Sequence, residues 1–134
     1  MLPYIIYPII AFCLAQGTKV LLKSTRKKHF NWRDIFAYSD MPSGQTATVT
    51  ALATIIGLRE GLFSSGFALA FVFMTIIITD AIGLRNYLGQ HGKILNVLVK
   101  DLKEDDFLDN SCPKQLEHIG HTPRQVIIGG IIGI

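Results

Sequence analysis

Side chains able to do chemistry are few in this 134-residue sequence, and they fall into four clusters. Lys19 is followed, after six residues, by Arg26. Met41-Pro-Ser-Gly-Gln-Thr46 places Ser43, Gly44 and Gln45 side by side. Thr79-Asp-Ala-Ile-Gly-Leu-Arg85 sets Asp80 five residues before Arg85. Glu117-His-Ile-Gly-His-Thr-Pro-Arg124 carries His118 and His121, with Gln125 directly after. Together these residue types suit phosphate. Lys19 is a compact cation, and the guanidinium groups of Arg26 and Arg85 match phosphate oxygens in bidentate fashion. Pro42-Ser43-Gly44 at a helix start supplies a hydroxyl and free backbone N–H groups on the positive end of the helix dipole. His121 supplies a nucleophile or an acid–base group.

Each cluster also has a plainer reading. Lys19 can snorkel from a helix end, Asp80 can simply pair with Arg85, and Pro-Ser-Gly can be no more than a turn and a cap. A metal is not expected, because Cys112, His118 and His121 form a C-x5-H-x2-H spacing unlike the usual zinc patterns. No cofactor is implied. Cys13 and Cys112 lie too differently in the chain to make a disulfide framework.

The elements that must position these clusters are set by the apolar residues. At 134 residues the chain is expected to be one domain, 1–134. Hydrophobic residues make up 49% and charged ones 17%, against about 25% charged in ordinary soluble domains. Mean hydropathy is +0.37. A soluble domain this small has too little interior for so much apolar surface. Disorder and nucleic-acid binding are excluded on the same grounds. Met1–Thr18, Met41–Leu58 and Gly61–Thr79 contain no Asp, Glu, Lys or Arg. Each reaches the roughly 17–25 residues a helix needs to cross a bilayer. Gln125–Ile134 reads as a shorter fourth apolar run, the start of a span that stops at Ile134. The expected fold is therefore all-α, a multi-pass transmembrane helical bundle of three full spans plus a truncated fourth, incomplete at its C-terminus.

Basic residues orient the bundle. None precedes the first span; Lys23, Arg26, Lys27, Lys28 and Arg33 follow it. Only Arg59 lies between the second and third spans, whereas Arg85, Lys93, Lys100, Lys103, Lys114 and Arg124 follow the third. The positive-inside rule puts the first and third loops in the cytoplasm. All four polar clusters then fall at cytoplasmic helix ends, where ionisable groups at a membrane edge are functional candidates. Phe30 and Trp32 mark an interfacial anchor within the first loop. Lys93–Leu102 has apolar residues at helical spacing, as in an amphipathic helix on the membrane surface. The acidic run Glu104-Asp-Asp106 with Asp109 reads as a solvated face.

The same residues resemble a known family. Lys19-x6-Arg26, Pro42-Ser-Gly-Gln45 and His121-Thr-Pro-Arg-Gln-Val126, with Gly129 and Gly133, look like the three signatures of the phosphatidic-acid phosphatase type 2 / vanadium-dependent haloperoxidase superfamily. The closer match is its divergent bacterial and plant membrane branch. That branch carries Met-Pro-Ser-Ser-His, Asp-x2-Gly-x-Arg and Gly-His-Thr-Pro segments, here Met41-Pro-Ser-Gly-Gln45, Asp80-Ala-Ile-Gly-Leu-Arg85 and Gly120-His-Thr-Pro123. The resemblance covers about Gln16–Ile134.

It implies that His121 attacks phosphorus to give a phosphohistidine, while Lys19, Arg26, Arg85, Ser43 and the Gly44 amide hold the oxygens. It also implies a proton-donating histidine at position 45 and a carboxylate at position 125. Here both are glutamine. Gln45 has no titratable proton, which forfeits general-acid help of about 10²–10⁴-fold, and Gln125 brings no compensating charge to His121. Asp80, His91 or His118 are the auxiliary candidates. The Arg85–His121 separation further requires the third loop to fold back.

Two functions are expected from this set, beside the plainer reading of a small helical membrane partner with no ligand site. One is a membrane phosphatase hydrolysing a lipid-linked, isoprenoid or other amphiphilic phosphate ester. The other is a catalytically impaired phosphate- or lipid-headgroup-binding protein on the same scaffold. The expected location is the bacterial inner (cell) membrane with the site at the cytoplasmic face. A homo-oligomer is left open.

Overall fold

A computed structural model describes residues 1–26, 41–104, 112–117 and 119–134. The anchor segment with Lys27, Lys28, Phe30, Trp32 and Arg33 lies outside the described residues, as do Asp105, Asp106, Asp109 and His118. The side chains of Lys23, Thr25, Arg26 and Glu104 do too. All regular structure among the described residues is helical: α1 (Leu2–Arg26), α2 (Gly44–Glu60), α3 (Ser65–Ile82), α4 (Leu84–Glu104) and α5 (Pro123–Gly133).

The helix ends follow from local chemistry. Ser43 caps α2, its Oγ accepting from the Thr46 N–H at 3.3 Å. Gly61 ends α2 at φ +88°, a backbone conformation open to glycine at little steric cost. Ser64 then caps α3 by accepting from the Phe67 N–H at 3.1 Å. So short a turn leaves α2 and α3 antiparallel. α3 and α4 are parted by Gly83 alone, whose N–H reaches Thr79 O at 2.8 Å. Pro123 opens α5, where its missing N–H costs nothing, and Gln125 Oε1 accepts from the Thr122 N–H at 2.8 Å.

α2 is the central helix and packs on α1, α3 and α5. Its interface is small-residue packing: Ala11 and Ala15 of α1 meet Ala47 and Ala51 of α2, with Ile132 of α5 against them. Among the described residues no Leu, Ile, Phe, Met or Tyr is buried; the large apolar side chains face outward along α1 and α3. Water would penalise such an arrangement heavily. Lipid does not, because helices in a bilayer associate through close backbone approach rather than burial of large side chains. By length and composition two helical stretches can cross a membrane, Leu2–Leu22 and the rod that begins at Ser65. The charge-free stretch expected at Met41–Leu58 becomes the shorter α2, because its polar opening is spent on the cap.

The third loop differs most from expectation. Instead of a helix confined to Lys93–Leu102, α4 starts at Leu84 and runs unbroken through Gly89 and Gly92. Glycine is a poor helix former, but these two form a surface on which residues 112–117 lie. A Cβ on Gly89 would sit 2.6 Å from Glu117 O, and one on Gly92 would sit 2.4 Å from Leu116 O. Asn96 fastens this strap: its Nδ2 donates to Gln115 O (2.9 Å) and Glu117 Oε1 (2.8 Å), while its Oδ1 accepts from the Gln115 N–H (2.8 Å). The fold-back that the Arg85–His121 separation required is this strap. Leu84, Leu88, Leu95 and Leu98 stay exposed on another face of α4, the stripe expected of a helix in a membrane interface.

Asn96→Ala removes three partly exposed hydrogen bonds, each worth roughly 0.5–1.5 kcal/mol net. Amide exchange at Gln115 and Leu116 is expected to accelerate at least several-fold, with little change in α2. Unchanged exchange there would show that the strap is held by other contacts.

Candidate functional site

Four chain segments converge at one end of the bundle. The start of α2 meets the start of α5, where the Ser43 N–H donates to Gln125 O at 3.2 Å. Helix α5 runs parallel to α2 at very short range: a Cβ on Gly129 would lie 2.4 Å from Ser43 O, and one on Gly133 would lie 2.5 Å from Ala47 O. The Gly-x-x-x-Gly spacing puts both contacts on one face of α5. The end of α3 closes the third side, with the His121 N–H donating to Ala81 O at 3.0 Å. Asn86, at the first turn of α4, donates from Nδ2 to His121 O at 3.4 Å. α1 completes the set. Gln16 lies against Gly44, its Nε2 3.3 Å from where a Cβ would stand, and Lys19 follows one helical turn later.

The side chains gathered here are polar and buried. Lys19 is 3% exposed, His121 4%, Thr46 1% and Ser43 0%. Thr46 Oγ1 donates to Ser43 Oγ at 2.9 Å, and the Thr46 N–H donates to the same oxygen. With both acceptor positions of Ser43 Oγ used, its own O–H is left to donate. A buried ammonium, a buried imidazole and a hydroxyl therefore lie with the N-terminus of α2 at this end of the bundle.

This arrangement can be set beside known proteins. The family model described as the Divergent PAP2 family matches residues 3–134. The chain belongs to the Divergent PAP2 family. It is also 33% identical over 135 residues to the uncharacterized membrane protein YuiD of Bacillus subtilis (strain 168), covering 94% of this chain and 85% of that protein. No solved structure matches the chain. With its outward-facing apolar helices, this Divergent PAP2 family member is an all-helical membrane protein.

The residues singled out in the sequence are not all used alike. Lys19, Ser43, Gly44 and His121 come together at the bundle end. Arg85 sits at the same corner, between Ala81 and Asn86, but its Nε donates to Asp80 Oδ2 at 2.6 Å across the Gly83 break. The pairing reading of Asp80 and Arg85 therefore holds in this structure. Gln125 reaches the site through its backbone, and its side-chain oxygen caps the Thr122 N–H. Gln45 points elsewhere. It lines an apolar groove with Phe12 of α1 and Phe73 of α3, because one residue of α-helix turns it about 100° from Gly44.

The side chain of Arg26, and His118, are outside the described residues; His91 lies within α4. Three contributors escape a motif reading. Gln16 is an amide inside the charge-free Met1–Thr18 run, and that setting was the available signal. Thr46 and Asn86 act by orienting Ser43 and the His121 backbone, which only the folded contacts reveal.

Proposed function

We propose that this protein takes the phosphate of a lipid-linked or amphiphilic ester at the bundle end and hydrolyses it through a phosphohistidine on His121. The observation that carries this reading is the joint burial of Lys19, Ser43 and His121, with the Ser43 hydroxyl prepared as a donor. The ring nitrogen of His121 attacks phosphorus as the P–O bond to the lipid breaks. The lipid leaves as its alcohol with a proton taken from water, and a second water then releases phosphate from the histidine. Lys19, the Ser43 hydroxyl and the Gly44 N–H stabilise the charge on the phosphoryl oxygens as it grows. The Arg85 Nε is held by Asp80, so its Nη groups are the ones that could join them.

A second reading is favoured by two particular residues. Gln45 lies in an apolar groove and Gln125 caps a helix, so neither supplies the proton or the charge that turnover uses elsewhere in the superfamily. On that reading the site binds a phosphate headgroup without hydrolysing it. Purified protein, orthovanadate and a panel of lipid and isoprenoid phosphates separate the two. Vanadate binding with phosphate release supports hydrolysis, vanadate binding without release supports the binding protein, and no vanadate binding removes both.

The charge pattern favours a cytoplasmic site. In a background lacking Cys13 and Cys112, a cysteine placed by Lys103→Cys is expected to react with membrane-impermeant reagent only after the cells are opened. Labelling on intact cells would reverse the orientation.

A further inference from the structure

Helix α4 has three unlike sides. Gly89, Gly92 and Asn96 carry the strap at residues 112–117. Lys93, Lys100 and Asp101 are exposed charges on a second side. Leu84, Leu88, His91, Leu95 and Leu98 follow one another at steps of four and three residues, so they form one row, and all are exposed. Tyr87 and Ile94, exposed as well, widen that row to an arc of roughly 120° at about 100° per residue. Among the described helices α4 packs on α3 alone, so the arc has no helix of this chain against it.

The length of α3 says what covers the arc. Its 18 residues rise about 27 Å, close to the roughly 30 Å of bilayer hydrocarbon. The 39-residue apolar rod from Ser65 to Lys103 is therefore far longer than one crossing needs, and non-helical Gly83 (φ −93°, ψ −87°) breaks it where α3 ends. α4 then starts at the membrane boundary. Hydrocarbon would penalise Lys93, Lys100 and Asp101, and water would penalise the leucine row. The layer between headgroups and acyl chains suits both sides at once. A second copy of the chain fits less well. The seam of a helix pair is a narrow row, which would leave Tyr87 and Ile94 uncovered beside it. At a membrane interface a tyrosine is the expected neighbour.

α4 also carries the arm that delivers His121. Asn96 and the two glycines hold residues 115–117, and Asn86 meets the other end of the arm. Its Nδ2 donates to His121 O at 3.4 Å, and a Cβ on Gly120 would stand 2.7 Å from its backbone N. With the arm gripped from Asn86 to Asn96, a shift of α4 moves His121 relative to Lys19 and Ser43. We propose that α4 seats its apolar arc in the cytoplasmic surface of the bilayer and that this seating holds His121 in the phosphate site, which is complete only on a lipid surface. The proposal rests on the phosphate-site reading above. It makes the bilayer surface a partner on which binding depends, beyond the medium that the spanning helices cross.

Full-length protein in nanodiscs of phosphatidylethanolamine and phosphatidylglycerol tests both halves. In a background lacking Cys13 and Cys112, a dye on Leu95→Cys is expected to be quenched by lipids spin-labelled near the headgroup end of the acyl chain. A dye on Lys93→Cys is expected to be quenched several-fold less. Orthovanadate affinity reads the coupling. Leu95→Glu is expected to weaken it about 10-fold, within the roughly 5–150-fold of ordinary coupling between sites. Leu95→Phe, which keeps the seat, and Gln90→Glu, which lies outside the arc, are expected to retain wild-type affinity. Unchanged amide exchange in α2 shows that Leu95→Glu still folds; if it does not, the milder Leu95→Asn reads the same coupling. Equal quenching at the two positions, or disulfide cross-linking of Leu95→Cys between copies in place of quenching, overturns the seat. Wild-type affinity in the folded polar variant overturns the coupling while the phosphate site stands. Absence of vanadate binding by wild type overturns the phosphate site itself, and this proposal with it.

Discussion

On the proposed hydrolytic mechanism, phosphate release is expected to fall roughly 10³-fold or more in His121→Ala, because the proposed nucleophile is gone. The frame around it should survive. The position is held by backbone hydrogen bonds, from its N–H to Ala81 O and from Asn86 Nδ2 to its carbonyl, and neither depends on the imidazole. On the same proposal the residual rate would come from Lys19, Ser43 and the N-terminus of α2, as groups that bind the phosphoryl group without attacking it. His121→Asn, closer in shape, controls for the small cavity left by alanine. Steady-state phosphate release and vanadate affinity, measured on the same preparations, separate the two roles. Retention of more than a tenth of the wild-type rate in both variants would exclude His121 as nucleophile.

Gly129→Leu is expected to destabilise the fold and empty the site together. The first atom added at position 129 already lies 2.4 Å from the Ser43 carbonyl oxygen, a backbone atom with nowhere to go while Ser43 caps α2. Overpacking of this kind costs about 1–3 kcal/mol, and more where backbone must move. Relief requires α5 to slide off α2, which breaks the Ser43 N–H···O Gln125 bond and shifts His121 with it. The neighbouring residue provides the control. A Cβ on Gly130 meets nothing closer than Thr50 Oγ1 at 3.9 Å. Gly130→Ala is therefore expected to be neutral or to gain up to about 1 kcal/mol from helix propensity. Thermal unfolding in detergent reads both. Equal melting temperatures for Gly129→Leu and Gly130→Ala would mean that α5 does not pack on α2 as described.

The glycines show how far the sequence could be read. Gly129 and Gly133 could be placed in a family signature, yet their reason, backbone contact with Ser43 and Ala47, involves residues more than 80 positions away. Gly89 and Gly92 lie in the stretch that the charge pattern assigned to the third loop, ahead of the helix expected at Lys93–Leu102. A helix runs through them because the strap at 112–117 covers the side on which they lack side chains. Local propensity was overruled by a contact that no window of sequence contains.

What the sequence determined by itself was everything that depends on short range. The absence of charge marked the apolar helices, since desolvating even one charge in hydrocarbon is costly. Pro42-Ser43-Gly44 marked a helix start, since capping is decided within four residues. The tertiary structure alone decided how each helix is rotated and what its polar groups then meet. It paired Arg85 with Asp80, gave the Gln125 side chain to a cap and turned Gln45 into a groove away from Ser43. Spacing along a helix fixes the angle between two residues of that helix. The direction either one faces is set by packing against the other helices.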